Sequence, residues 1–160
     1  MAKKRRIAIV SPTIDKCHGT ERHVPECVSR LSAELEIHLY SKQVADIDLS
    51  RVTWHRIPDI PGPHLVRYLW WFAANHLWRW WDTRDGRQAY DLVYSPGINC
   101  LDADVVIVYI VFSDYRPRVR EGLSLRTNPV RSWPRLIHRR LYYRLISALE
   151  RRIYRRESLK

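Results

Sequence analysis

The chain has 160 residues, which suits one domain with a real core and leaves no room for a complete two-domain enzyme. Its 28 Lys and Arg outweigh 17 Asp and Glu, and the formal net charge of +11 favours polyanionic partners: nucleic acid, an anionic membrane surface or phosphorylated ligands. Three cysteines, Cys17, Cys27 and Cys100, have neither metal-ligand nor disulfide-framework spacing, which fits free thiols in a reducing, cytosolic compartment.

Residues 1–6 read as a basic, solvated tail, because the apolar run at 7–10 is too short for a signal peptide and stops at Pro12. That run predicts a first strand. A polar loop with one glycine, Gly19, follows, and then a helix start. A strand, a glycine-bearing loop and free helix N–H groups together form an anion site of the kind that holds nucleotide phosphates; a tight turn without a ligand is the plainer alternative. Val24, Cys27, Val28, Leu31 and Leu35 recur at helical spacing and predict one buried face, with Thr20 as N-cap. Pro25 is tolerated only close to the helix start.

Residues 36–41 and 52–57 alternate as a second and third strand. Pro58, Pro61, Gly62 and Pro63 then break the chain before a helix at 64–82 that carries Trp70, Trp71, Trp78, Trp80 and Trp81. Arg67, Asn75, His76 and Arg79 interrupt its apolar character and argue against a membrane span. One face is expected in the core; tryptophans beside arginines on the other suit a lipid headgroup region. Residues 90–95 predict a fourth strand and 103–112 a fifth, buried on both faces. From 133 to 156, Ile137, Leu141, Leu145, Ala148, Leu149 and Ile153 predict the buried stripe of a helix. Arginines occupy the rest, as a solvated face or as contacts to an anionic surface. Strands alternating with helices predict an α/β fold: a Rossmann-like, three-layer parallel sheet.

Taken in order, IAIVSPTIDKCHGTERHVPECVSRL, YDLVYSPGINCLDADVVIVYIVF and LYYRLISALERRIY resemble the N-terminal half of a GT-B glycosyltransferase, most like glycosyltransferase family 4 and its subfamily 4-like N-terminal domain. Gly19, Glu21 and Arg22 match the family's glycine loop and acidic-Arg helix start, while His18 stands where a first glycine is usual. The resemblance implies that residues 7–160 form the acceptor-side domain of a cleft, with a nucleotide-diphosphate sugar as donor, held mainly by a C-terminal domain. His18, Gly19 and Thr20 would then approach the diphosphate and sugar, since a residue without Cβ lets backbone N–H groups come close. It also implies a catalytic position at the end of the fifth strand, usually histidine, where this sequence has Tyr109. A phenol with a pKa of about 10 hydrogen-bonds but does not exchange protons near neutrality as an imidazole does; a core aromatic is the alternative there. Ser95 and Asn99 are placed to bond acceptor hydroxyls, and are also ordinary turn formers.

The family's E-x7-E donor motif and its next strand after the ERRIY-type helix are not found, so the domain is expected to be incomplete at its C-terminus, with the donor-binding domain absent and an unpaired sheet edge. The function implied is a retaining, hexosyl- or mannosyl-type glycosyltransferase half acting on a lipid-linked or membrane-surface glycan, inactive without the missing domain or a partner chain. No cofactor or metal is expected. The expected setting is cytoplasmic, peripheral on the cytoplasmic face of a membrane with an anionic surface. An alternative is a non-enzymatic basic module binding anionic membrane or nucleic acid, although no base-reading motif is present. A dinucleotide-binding domain is disfavoured, since G-x-G-x-x-G is lacking and Tyr40, Ser41 and Lys42, not an acid, end the second strand.

Overall fold

The computed structural model describes residues 4–16, 22–84, 89–119, 122–125 and 128–154. In chain order the elements are β1 (Arg6–Val10), β2 (Thr13–Ile14), α1 (His23–Leu31), β3 (Glu36–Ser41), β4 (Gln43–Val44), β5 (Thr53–Arg56), α2 (His64–Thr83), β6 (Leu92–Pro96), β7 (Val105–Ile107), α3 (Phe112–Val119) and α4 (Trp133–Tyr154). Five strands pair in the order β5-β3-β1-β6-β7, all parallel, and β2 pairs separately with β4.

The pleat sorts the apolar residues onto two faces. Ala8, Val10 and Tyr40 pack with Trp71 and Ala74 of α2, whereas Ile9, Ile37 and Leu39 pack with Val24 and Val28 of α1. The result is the expected Rossmann-like, three-layer α/β arrangement. Pro25 falls in the first turn of α1, where its missing N–H would have had no helical partner. The expected Thr20 cap lies outside the described residues, as do Cys17 and the 1–3 part of the tail. α1 buries a narrower stripe than its spacing implied: Cys27 is exposed and Leu31 is 42% exposed. α2 starts after Gly62, whose φ of +137° is one that L side chains rarely adopt, and after an extended Pro63.

Two expectations change. Residues 103–112 are not a central strand: β7 is three residues long at the sheet's edge, and Val108, Ile110 and Val111 are 46%, 50% and 41% exposed. A central, doubly covered strand and an edge strand with few covering atoms have the same apolar composition; their place in the strand order separates them. The stripe of α4 is also rotated. Leu136, Ile146 and Ile153 are buried, while Ile137 and Leu141 are 45% and 48% exposed.

The β6-to-β7 crossover contains no helix. Instead, α2 holds the connecting loop with its polar side chains. Asn75, fully buried, donates from Nδ2 to the Asn99 carbonyl at 2.9 Å; His76 Nε2 accepts from Leu101 N–H at 3.0 Å; and Arg79 reaches Asp102 Oδ2 and Oδ1 at 2.6 and 2.7 Å. The residues that break the apolar run of α2 are therefore the ones that fix this loop. The outward face of the same helix leaves Trp80 and Trp81 55% and 61% exposed, with the Arg84 guanidinium over both rings at 4.8 and 5.4 Å. Among the described residues no helix is long and apolar enough to cross a membrane.

Candidate functional site

In a parallel sheet the loops at the carboxyl ends of the strands open a crevice where the strand order reverses. Here the reversal lies between β1 and β6, which both pair with strands running outward in opposite directions. A cavity of about 350 Å³ opens at that end. Pro12 follows β1, Lys42 follows β3, Ile98 and Asn99 follow β6, and Phe112 follows β7; His64, Arg67, Tyr68 and Trp71 of α2 and Tyr142 and Ile146 of α4 complete the lining.

Aromatic rings and cations line it together. His64 and Tyr142 meet edge to face at 4.7 Å, Tyr68 and Tyr142 at 5.7 Å, and Lys42 Nζ lies 5.9 Å from the Trp71 ring centre. Tyr68 donates its hydroxyl to the Ile98 carbonyl at 2.8 Å, and burial pushes its phenol well above the usual range. Asp59 orders the two cations: its Oδ1 accepts from Lys42 Nζ at 2.8 Å and its Oδ2 from Arg67. The Arg67 hydrogen bond, followed by that of Lys42, lowers the Asp59 carboxyl to about 2. Two positive groups against one carboxylate leave the rim cationic. His64 is held below its ordinary value by burial and then by its neighbours His138 and Arg67, which favours its neutral form.

Of the residues singled out in the sequence, His18, Gly19 and Thr20 lie outside the described residues. Ser95 is fully buried, and its hydroxyl donates to the Gly97 carbonyl at 2.9 Å, holding the turn in which Gly97 takes a φ of +90°. Asn99 does line the cavity, but it is 7% exposed: its Nδ2 donates to Pro96 O at 2.7 Å and its Oδ1 accepts from Trp71 Nε1 at 3.4 Å. Tyr109 lies past the end of β7, outside the cavity lining and 39% exposed.

What Tyr109 touches is a histidine. His23, the first residue of α1, stands between two phenols: its Nε2 is 2.5 Å from Tyr94 OH, and Tyr109 OH is 2.6 Å from Nδ1 and 3.0 Å from Nε2. Burial, and next the nearby Tyr109, raise the Tyr94 phenol well above its usual value. Sequence reading passed over His23, although its place directly after the glycine-bearing loop was a usable signal. It also passed over Asp59, Arg67 and Tyr142, whose contribution depends on α2 and α4 converging. Cys100 is buried, and burial pushes its thiol up to about 11, so it is no nucleophile near neutrality. Among the described residues no cluster of His, Cys, Asp and Glu is grouped as a metal site.

The fold recurs in a solved structure described as WaaG, a glycosyltransferase involved in lipopolysaccharide biosynthesis: TM-score 0.62, 16% sequence identity, 91% of this chain covered. The shared fold is Rossmann-like and of the GT-B kind. This chain spans 35% of the length of that structure. No protein-family model matches the chain, and no curated protein matches it.

Proposed function

We propose that this chain is the acceptor-side half of a retaining, nucleotide-sugar-dependent glycosyltransferase of family 4 type, acting on a lipid-linked or membrane-surface glycan at the cytoplasmic face. The observation that carries this reading is the cavity at the reversal of strand order, in a fold shared with a glycosyltransferase. Its aromatic walls suit the apolar faces of sugar rings, and a few polar groups set orientation, as in small-molecule sites generally. Lys42 and Arg67, already aligned by Asp59, would supply charge-assisted donors to an anionic group on the acceptor, such as a phosphate.

In this reading Asn99 contributes to the acceptor wall and Ser95 supports it from below by fixing the turn. His18, Gly19 and Thr20 approach the diphosphate of the donor, which is held across the cleft by a second domain. Tyr109 occupies the catalytic position, with the His23 ring hydrogen-bonded to its hydroxyl.

Titration with glucose 6-phosphate and with glucose, followed by NMR of the tryptophan indole and arginine side-chain resonances, tests the pocket. Glucose 6-phosphate is expected to shift Trp71 and Arg67, and Lys42→Ala or Arg67→Ala to weaken it by about tenfold, the worth of one charge-assisted hydrogen bond. If neither sugar moves these resonances, or both bind alike, the anionic-acceptor reading falls.

A further inference from the structure

We propose that the outward face of α2 is the contact surface for a second copy of this chain, paired antiparallel across a two-fold axis. The pairing depends neither on the cavity nor on glycosyl transfer. Val66, Leu69, Ala73, Leu77 and Trp80 are all exposed, the four larger ones by 46% to 55%. With about 3.6 residues per turn they fall within about 80° of the helix circumference, opposite the buried Trp71, Asn75 and Arg79.

The order of this row is what selects its occupant. Leu69 and Leu77 stand at equal distances on either side of Ala73, and so do Val66 and Trp80 farther out. A second copy turned end for end therefore sets alanine on alanine at the axis, leucine on leucine beside it, and the broad Trp80 against the smaller Val66 at both ends. A two-fold contact requires such self-complementarity, and a small residue at the crossing point lets two helices approach closely. Trp81, at the flank, is 61% exposed as well. The patch leaves roughly 400 Å² of apolar side chain open on each copy, so pairing buries roughly 800 Å² at the centre, and a rim brings the total to about 1,200 Å², where specific interfaces start. No charged residue stands in the row before Arg84 at its end, so nucleic acid phosphates find no partner along it. Two copies of net charge +11 repel at long range, but not through the contact itself.

Sedimentation velocity of the full chain over about 1 to 100 µM is expected to show a monomer–dimer equilibrium. It should tighten as salt rises from about 0.1 to 0.5 M, because salt screens the long-range repulsion and leaves an uncharged contact intact. Leu69→Lys with Leu77→Lys should weaken the dimer about 100-fold, and Leu69→Glu with Leu77→Glu equally, since each sets like charges across the axis. Mixing these two variants should restore a one-to-one dimer. Cysteine pairing in a Cys17→Ser, Cys27→Ser background reads the register: on mild oxidation Ala73→Cys links to itself, Val66→Cys does not, and Val66→Cys links to Trp80→Cys. Circular dichroism monitors folding of each variant; the substituted helix positions are at the surface. A chain that stays monomeric throughout, a monomer that sediments with phosphatidylcholine vesicles, a dimer unchanged by both charged pairs, or self-linking of Val66→Cys equal to that of Ala73→Cys would each overturn the proposal.

Discussion

Arg79 and Asp102 are partners with unequal surroundings. The Arg79 side chain is 5% exposed and that of Asp102 is 50% exposed, so only one end of the ion pair depends on the other for solvation. Burial pushes the Asp102 carboxyl up, but the nearby His76 ring and the paired Arg79 guanidinium outweigh it and hold the group well below its usual range. Asp102→Asn leaves a cation stranded in the interior and is expected to cost about 3 kcal/mol. Arg79→Met leaves a carboxylate that water can solvate and one unpaired Asn75 Oδ1, at a cost of about 1 kcal/mol. Urea unfolding of the two variants checks the asymmetry, and equal costs would sink it. Arg79 shows what a sequence hides at this scale. An arginine in a tryptophan-rich helix reads as an interruption until the loop it binds is known, and that loop is contributed by residues 97–104, far along the chain.

At the scale of elements, α3 and α4 are joined through Glu150. Its Oε2 accepts from Phe112 N–H at 2.6 Å and Ser113 N–H at 3.2 Å, and its Oε1 from the Ser113 hydroxyl at 2.7 Å. A carboxylate thus meets the unpaired N–H groups and positive dipole end of α3, supplied by another helix instead of by a residue within the turn. Glu150→Gln should destabilise α3 by about 1 to 2 kcal/mol while leaving α4 intact. Hydrogen exchange reads this directly: amides of 112–119 should lose protection and those of α4 should not, and unchanged protection in α3 would refute the capping role. No capping pattern in the local sequence shows this, because the acceptor lies 37 residues away. The rotated stripe of α4 has a similar origin. Periodicity identifies an amphipathic helix, but α4 carries apolar residues on more than one side, and the neighbours α2 and α3 select which side is covered.

For the whole molecule, a hydrogen-bonded chain ties β3, β5 and the end of α2 together. Glu36 meets His38 at 2.8 Å, His38 meets His55 at 2.9 Å, His55 meets Asp82 at 2.8 Å, and Asp82 accepts from Tyr40 at 2.6 Å. Burial holds His55 below its ordinary value despite the opposing pull of Asp82, and His64 is lowered as well. Below about pH 6.5 the unfolded chain therefore binds protons that these folded imidazoles do not, and stability falls as pH drops through that value toward the folded ones. Asp59 and Asp102 are lowered carboxylates, so their contribution is complete above about pH 3.9 and is lost only as pH falls through their folded values. The urea midpoint should thus fall between about pH 7.5 and pH 5.5, and His55→Gln should flatten that slope. A midpoint that stays level over this range in the unmodified chain would contradict the assignment.

The sequence alone determines what depends on neighbours in the chain: strand and helix periods, the breaks at prolines and glycines, and hence a parallel α/β fold read from alternating elements. The strand at 36–41 and the helices read over 64–82 and 133–156 needed no tertiary information, because their patterns are local. Strand order, and with it the edge position of β7, depends on pairings between distant segments. So does the cavity, whose cations and rings come from loops after four strands and from two helices that are 50 or more residues apart in places. The pairing of His23 with Tyr109 spans 86 residues. Burial is a property of the folded surroundings, and a single side chain carries no record of it; that is why the polar face of α2 and the bare apolar line of α4 emerge only when the chain is packed.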